Sequence, residues 1–416
     1  MGRAALSPAG SVTAPPAQTP LSDALLPPAD RAWHRMPARV RLLLIYAASR
    51  IVSIGFLALV FVLAPVLHLP YANFAPEHPT FLNFLAGWDG QYYKQIALHG
   101  YPTQLPVDDH GHVVSNAWAF LPIYPWLVRG LMLSTGLEFA PAGVLLSVVA
   151  GAIATILLFR LLAGRFGERP AVWAAALFCA GPMTFLFETA YAESLFLALL
   201  FASLLFILSR HYLLAIPFGV VAAFTRPGEL SLAATLGILL IAQLARRERV
   251  PTAERVRMIV AGLSLAAAGF AWPIIADTVT GNKSAYFDTE LSWWTGWVGR
   301  VHFVPFAPWF DLFYRYLGFA GVAVVLVLIA GFVVWLTRRP MRILGDELLA
   351  FTGSYGAYLV AVFLPQQSIV RLLLPLSPLL GTPLITSSRR LPRILLAVFV
   401  VLQPFVIAIL WFIYPP

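Results

Sequence analysis

The chain has 416 residues, 60% of them hydrophobic and only 11% charged, with a net charge of +9 and a single cysteine. A mean hydropathy of +0.80 exceeds what a water-soluble core needs, several runs reach the roughly 20 residues that cross a bilayer as a helix, and period-2 alternation is missing, which argues against a transmembrane barrel. The lone Cys179 excludes an intramolecular disulfide and a cysteine-based zinc site, while the basic residues punctuate the apolar runs as topology signals do, so the positive charge points away from nucleic acid.

Residues 1–30 are rich in Pro, Ala and Ser, with little to bury and no apolar signal core, which predicts a disordered tail. Arg31, Arg35, Arg39 and Arg41 then assign residues 1–40 to the cytoplasm. The first span is predicted at 42–67. Arg50 lies well inside it and reads as an arginine snorkelling to the cytoplasmic edge, with a paired or functional arginine as the alternative.

Residues 68–141 are too polar for a span over most of their length and long for a plain connection. They are read as a large first external loop. Within it, 119–133 is interrupted by Pro122, Pro125 and Arg129; if it crossed, Arg165 and Arg169 would fall outside, so a helix lying in the outer interface is predicted. Spans at 142–163, 170–187, 192–209, 212–225, 229–245, 258–278, 315–337, 347–364, 371–387 and 394–413 complete eleven crossings. The expected fold is therefore an all-α polytopic membrane protein of 41–416, with its C-terminus outside.

This topology sorts the charges. The acids Asp89, Asp108, Asp109, Glu138, Glu188, Glu193, Glu229, Asp277, Asp288, Glu290 and Asp311 collect at the outer side or its edge, as do the basic exceptions Lys94, Arg226, Lys283, Arg300 and Arg371. Charges of both signs at one face point to an active site there, although a solvated loop surface carries them too. The densest stretch is Gly87–Tyr101, G-W-D-G-Q-Y-Y-K-Q-I-A-L-H-G-Y. Its carboxylate Asp89, with Trp88 before it and Tyr92 and Tyr93 after it, can serve as a base, hold a metal or bind a sugar; the plain alternative is an interfacial helix anchored by its aromatics. Four further outer pieces stand beside it: Thr189–Ser194 with Tyr191 and Glu193, Thr225–Glu229 with Arg226, Gly281–Arg300 with Trp293 and Trp294, and Ser368–Leu372 with Arg371. An arginine at the outer end of a span suits a phosphate at the membrane surface, because guanidinium binds phosphate oxygens through paired hydrogen bonds.

Trp88-Asp89, Tyr93, Ile96-Ala97 and Gly100-Tyr101 resemble the W-D-x3-Y-x2-I-A-x2-G-Y signature of the PIG-V-type mannosyltransferases. Phe120–Pro125 is similar to that family's F-F-P-L-Y-P segment, Ala190–Phe196 to its A-Y-S-E-S-L-F, and Thr225–Gly228 to its T-R-x-N-G turn, from which Pro227-Gly228 departs. The first motif is specific, the others support it by their order, and the match covers 47–240 well and the C-terminal half loosely. The resemblance implies a GT-C-like bundle with its catalytic acid in the large first external loop, 68–141. It implies a polyprenyl-phosphate-sugar donor, with mannose as the sugar. Short cytoplasmic loops and heavy arginine usage fit a bacterial relative acting on a cell-envelope glycolipid or glycan at the plasma membrane.

The chemistry so implied is a single inverting displacement. Asp89 takes the acceptor's proton, and Arg226 and Arg371 meet the charge growing on the lipid phosphate. Trp88, Tyr92, Tyr93, Trp293 and Trp294 are the sugar-contacting candidates; Tyr191 and Glu193 either bond the acceptor or brace the loop. No cofactor is called for, and no D-x-D metal motif occurs, since Asp108-Asp109 is an adjacent pair in a Pro- and Gly-rich loop. Three alternatives stand beside this reading: a flippase of the same lipid, a non-catalytic partner subunit, and a GT-C enzyme moving another sugar such as arabinose.

Overall fold

The computed structural model describes residues 36–69 and 79–413; the tail expected at 1–30 lies outside them. Regular structure among the described residues is helical, with one isolated antiparallel bridge between Val107 and Val113. Five helices among the described residues are long and apolar enough to cross a membrane: Ala38–Val66, Phe139–Phe166, Thr252–Thr280, Phe319–Thr337 and, with its π-helical end, Leu391–Ile413. Their apolar side chains are largely turned outward. In Phe319–Thr337 only 11% of the most apolar window is buried, and Leu326, Val327 and Val333 are exposed. A helix apolar all round with an uncovered surface belongs in lipid rather than water, so this is an all-α polytopic membrane protein.

The shorter apolar helices Glu193–Leu208, Tyr212–Ala223 and Leu230–Ala245 follow the expected spans. They pack with Phe139–Phe166 and Glu168–Ala180 around a core of Phe178, Phe187, Phe201, Leu204 and Phe351. Close helix approach needs small residues where dispersion replaces the hydrophobic effect: a Cβ on Gly219 would overlap the Leu265 side chain of Thr252–Thr280. The interface helix expected at 119–133 appears as Ile123–Thr135, preceded by the 3-10 turn Ala117–Ala119.

Two expected spans differ. The run at 170–187 is a helix only over Glu168–Ala180; it breaks at Gly181-Pro182 and re-forms as the 3-10 helix Thr184–Glu188. The run at 371–387 is a 15-residue 3-10 helix, Gln367–Gly381, followed by the short turn Pro383–Thr386. Pro375 and Pro378 lie inside it and each removes a backbone donor that an α-helix would use. At about 2.0 Å per residue, 15 residues of 3-10 helix extend roughly 30 Å, so fewer residues cover the same depth.

The snorkelling expected of Arg50 is not what the structure holds. Arg50 is buried, and its guanidinium donates to the carbonyls of Thr184 and Cys179. Its Nε lies 3.6 Å from the buried Glu188 carboxylate, and the rings of Tyr46 and Phe187 lie 5.2 and 5.4 Å from its Cζ. Arg50 is near the middle of the 29-residue helix Ala38–Val66, so Glu188 lies alongside that midpoint rather than at an outer edge. The physical reason is the break at Gly181-Pro182: Cys179 lies at the end of Glu168–Ala180 and Thr184 at the start of the next 3-10 helix, so their carbonyls come within reach of one guanidinium. Removing one partner of a buried pair leaves the other charge uncompensated at a cost of about 3–5 kcal/mol. Arg50→Ala should therefore lower the thermal midpoint in detergent by many degrees, whereas the double change Arg50→Met, Glu188→Leu should recover much of the loss. A single variant as stable as wild type would show that the pair holds nothing together.

Candidate active site

The site begins at a strained turn. Helix Phe81–Leu85 ends, and Trp88 takes φ 50° and ψ −116° before helix Asp89–His99 starts. A non-glycine residue in this region costs of order 1–3 kcal/mol and persists only where its surroundings impose it. Three bonds do so. Trp88 Nε1 donates to the Trp411 carbonyl at 3.0 Å, and Trp411 Nε1 donates to the Phe84 carbonyl at 3.1 Å. Tyr191, fully buried, donates its hydroxyl to the Gly87 carbonyl and accepts the Asp89 backbone N–H, both at 3.3 Å. The turn thereby sets Asp89 as the first residue of its helix, where the helix dipole favours a carboxylate.

Asp89 is one end of a chain of four charges. Arg371 Nη1 donates to Asp89 Oδ2 at 2.6 Å and lies 3.3 Å from Glu193 Oε1; Arg226 Nη1 donates to the same Glu193 oxygen at 2.6 Å. All four side chains are between 4 and 14% exposed. Glu193 opens helix Glu193–Leu208, so it too gains from a helix N-terminus. Arg371 sits in the first turns of Gln367–Gly381. Its Nε is buried and has no hydrogen-bond partner among the described residues. Arg226 is delivered by the turn between Tyr212–Ala223 and Leu230–Ala245, where Gly228 has φ 135° and a Cβ would stand 3.1 Å from Phe196. That explains the departure at Pro227-Gly228: the tight residue is glycine, one position early.

Above the charges is a cavity of about 460 Å³. Trp88, Asp89, Tyr92, Tyr93, Arg226, Arg371, Trp293 and Trp294 all line it, although they come from four separate stretches of sequence. Tyr92 stacks on Phe120 with centroids 4.6 Å apart and meets Trp293 edge-on at 5.8 Å. Tyr93 is only 2% exposed and wedged against Phe120 and Tyr124, so it forms wall more than contact surface. Burial, and then the neighbouring Asp89, raise the Tyr92 hydroxyl above its ordinary pKa. Glu193 lies beneath the arginines in a small crevice, and Tyr191 supports the turn from behind, away from the cavity.

Asp108, one of the adjacent acidic pair, stays at the solvent surface and also ties its own loop to the segment that carries Arg300. Its carboxylate accepts the backbone N–H groups of His112 and His110 at 2.9 and 3.0 Å and Arg300 Nη2 at 2.7 Å. The His112 backbone bond is the largest influence holding its carboxyl down to about 2. No group of three His, Cys, Asp or Glu side chains able to hold a metal lies together among the described residues.

Glu290 and Trp297 also line the cavity; from sequence Glu290 is counted among the outer acids without a role in the site, and Trp297 is not named. The signal was there: Glu290, Trp293, Trp294 and Trp297 fall at i, i+3, i+4 and i+7, the spacing of one helix face.

No protein-family model and no curated protein matches the sequence. Among solved structures the chain is similar to ArnT from Cupriavidus metallidurans bound to undecaprenyl phosphate, with TM-score 0.47 and 13% identity over 82% of this chain and 61% of that one. It is similar to the same ArnT in the apo state, with TM-score 0.40, 14% identity and coverage of 81% and 60%. It is also similar to the oligosaccharyltransferase of Archaeoglobus fulgidus in complex with Zn and sulfate, with TM-score 0.44, 12% identity and coverage of 89% and 52%. The chain thus spans about three-fifths of the length of ArnT and half that of the oligosaccharyltransferase, and the superpositions are too loose to assign a function.

Proposed function

We propose that this protein is an inverting glycosyltransferase of the GT-C class that moves a sugar, mannose in the first instance, from a polyprenyl-phosphate donor to a cell-envelope glycolipid or glycan. The observation that carries the reading is the chain Asp89–Arg371–Glu193–Arg226 at the floor of an aromatic-lined cavity. Cations fixed by carboxylates need no reorganisation when charge develops on a leaving group, which is the condition for strong electrostatic stabilisation. The unpartnered Nε of Arg371 is a spare donor for a phosphate oxygen.

In this mechanism the acceptor hydroxyl enters beside Asp89 and transfers its proton to the carboxylate as its oxygen attacks the anomeric carbon. The bond from that carbon to the phosphate oxygen breaks on the opposite face, and the electron pair leaves on the lipid phosphate. Arg371 and Arg226 meet that charge. As the phosphate engages Arg371, the guanidinium is shared away from Asp89, and the carboxylate turns to the incoming hydroxyl. The N-terminus is assigned to the cytoplasm and the site to the external face by the positive-inside rule.

Transfer of radiolabelled mannose from undecaprenyl-phosphate-mannose, in membranes carrying each variant, tests this. Asp89→Asn should lower the rate by about 10²–10⁴, the usual contribution of a positioned base, with the protein still folded. Equal transfer by Asp89→Asn and wild type would remove Asp89 from the chemistry. Arg371→Lys should lose about 10²–10³ in kcat, since a point charge replaces a planar fork; undiminished kcat would separate Arg371 from the leaving group. No mannose transfer by wild type to any of several lipid extracts would redirect the assay to an arabinose-bearing donor. Translocation of the lipid without transfer would favour the flippase.

A further inference from the structure

The mechanism above uses Asp89 and the two arginines and leaves one acid of the cavity without a task. Glu290 lies on helix Ala285–Ser292 and shares the cavity wall with Trp293, Trp294 and Trp297. The helix is fastened to the first loop: Asn116 Nδ2 donates to Thr289 Oγ1 at 2.9 Å, and the hydroxyls of Ser115 and Ser292 are 3.0 Å apart. At its start the Ala285 backbone N–H donates to Asp277 at 2.9 Å. Glu290 is therefore held in place by anchored backbone on both sides.

The groups that face it are Tyr286 one turn back, which donates its hydroxyl to it, Arg226, Asp89 and Arg371 at the cavity floor, and Tyr358 from helix Gly345–Val362. Both arginines are engaged by other acids, Arg226 by Glu193 and Arg371 by Asp89 and Glu193. A half-buried carboxyl with free acceptor capacity, set among indole rings, matches a polyhydroxylated ring: hydroxyls donate to the carboxylate while the rings cover the apolar C–H face.

We propose that Glu290 is the residue that recognises the donor's sugar, accepting hydrogen bonds from its hydroxyls while Trp293 and Trp297 cover the ring. This rests on the glycosyltransferase reading and adds to it a division of labour: arginines for the phosphate, Asp89 for the acceptor proton, Glu290 for the sugar. Burial pushes the Glu290 carboxyl up to about 7, so the form with the stronger acceptor is present above that pH and lost below it.

The test compares the affinities of purified protein in lipid nanodiscs for undecaprenyl-phosphate-mannose and for undecaprenyl phosphate. Wild type at pH 8 should bind the mannose-bearing lipid at least about tenfold more tightly, the size expected of hydrogen bonds to a charged acceptor. Glu290→Leu should bring the two affinities together while leaving that for undecaprenyl phosphate unchanged. Glu290→Gln, which keeps shape and one acceptor, should fall between them. The mannose preference of wild type should shrink from pH 8 to pH 6, and that of Glu290→Gln should not. A merely structural Glu290 would lower both affinities together, and that result would overturn the assignment. So would a mannose preference intact in Glu290→Leu. Wild type that binds neither lipid would overturn the glycosyltransferase reading, and this assignment with it.

Discussion

The arrangement depends on a buried alternation of charge, Asp89–Arg371–Glu193–Arg226. Each of these groups alone would be costly to remove from water, by several kcal/mol even after relaxation. Together they compensate one another through short charge-assisted bonds, two of them 2.6 Å long. Their sequence positions are far apart, so the chain cannot form until the first loop, two inter-helix turns and the Gln367–Gly381 segment have come together. Formation of the network and formation of the cavity are thus one event. The balance is also neutral in charge, two acids against two bases, so an incoming phosphate monoanion does not enter a field already saturated with positive charge. In the proposed transfer it exchanges with a carboxylate, and that exchange ties donor arrival to the release of Asp89.

The strain at Trp88 belongs to the same economy. A left-handed tryptophan would relax if nothing held it, yet the indole is bonded to the Trp411 carbonyl and Trp411 is bonded back to Phe84. The last described helix therefore closes on the turn that precedes Asp89. Tyr191 adds the second restraint, and it lies two residues before Glu193, so the same short turn fixes both acids. A carboxylate held from its own backbone and from its neighbour's loop loses little freedom when substrate arrives.

Much of the fold was legible because the bilayer enforces it. Long apolar runs have few uses besides crossing lipid, and the helices Ala38–Val66, Phe139–Phe166 and Thr252–Thr280 are close to the predicted boundaries. The misreadings share a cause. At Gly181-Pro182 and at Pro375 and Pro378 hydropathy stays high while backbone geometry changes, and a hydropathy pattern does not register lost N–H donors. Arg50 was misplaced for the same reason: its partners are carbonyls on either side of a break that apolarity conceals. In the site, the residues found from sequence were those in the first loop or beside a helix end, where a polar group in an apolar chain is conspicuous. Glu290 was hidden in a polar loop with several other acids, and only its helical spacing to three tryptophans set it apart.

That contrast bears on how specificity is distributed. Asp89, Glu193 and Arg226 come from the part of the chain that resembles a family, whereas Arg371 and the Glu290–Trp297 wall come from the part where the resemblance is loose. In the proposed reaction the charge chain performs a task common to any lipid-phosphate sugar, since the phosphate and the acceptor proton do not change with the sugar. In the same reading the wall faces the part of the donor that does change. A site divided in this way would let the second half of the chain alter the sugar while the first half keeps the chemistry, with the wall fastened to the first loop by the Asn116–Thr289 and Ser115–Ser292 hydrogen bonds and by Trp293 against Tyr92.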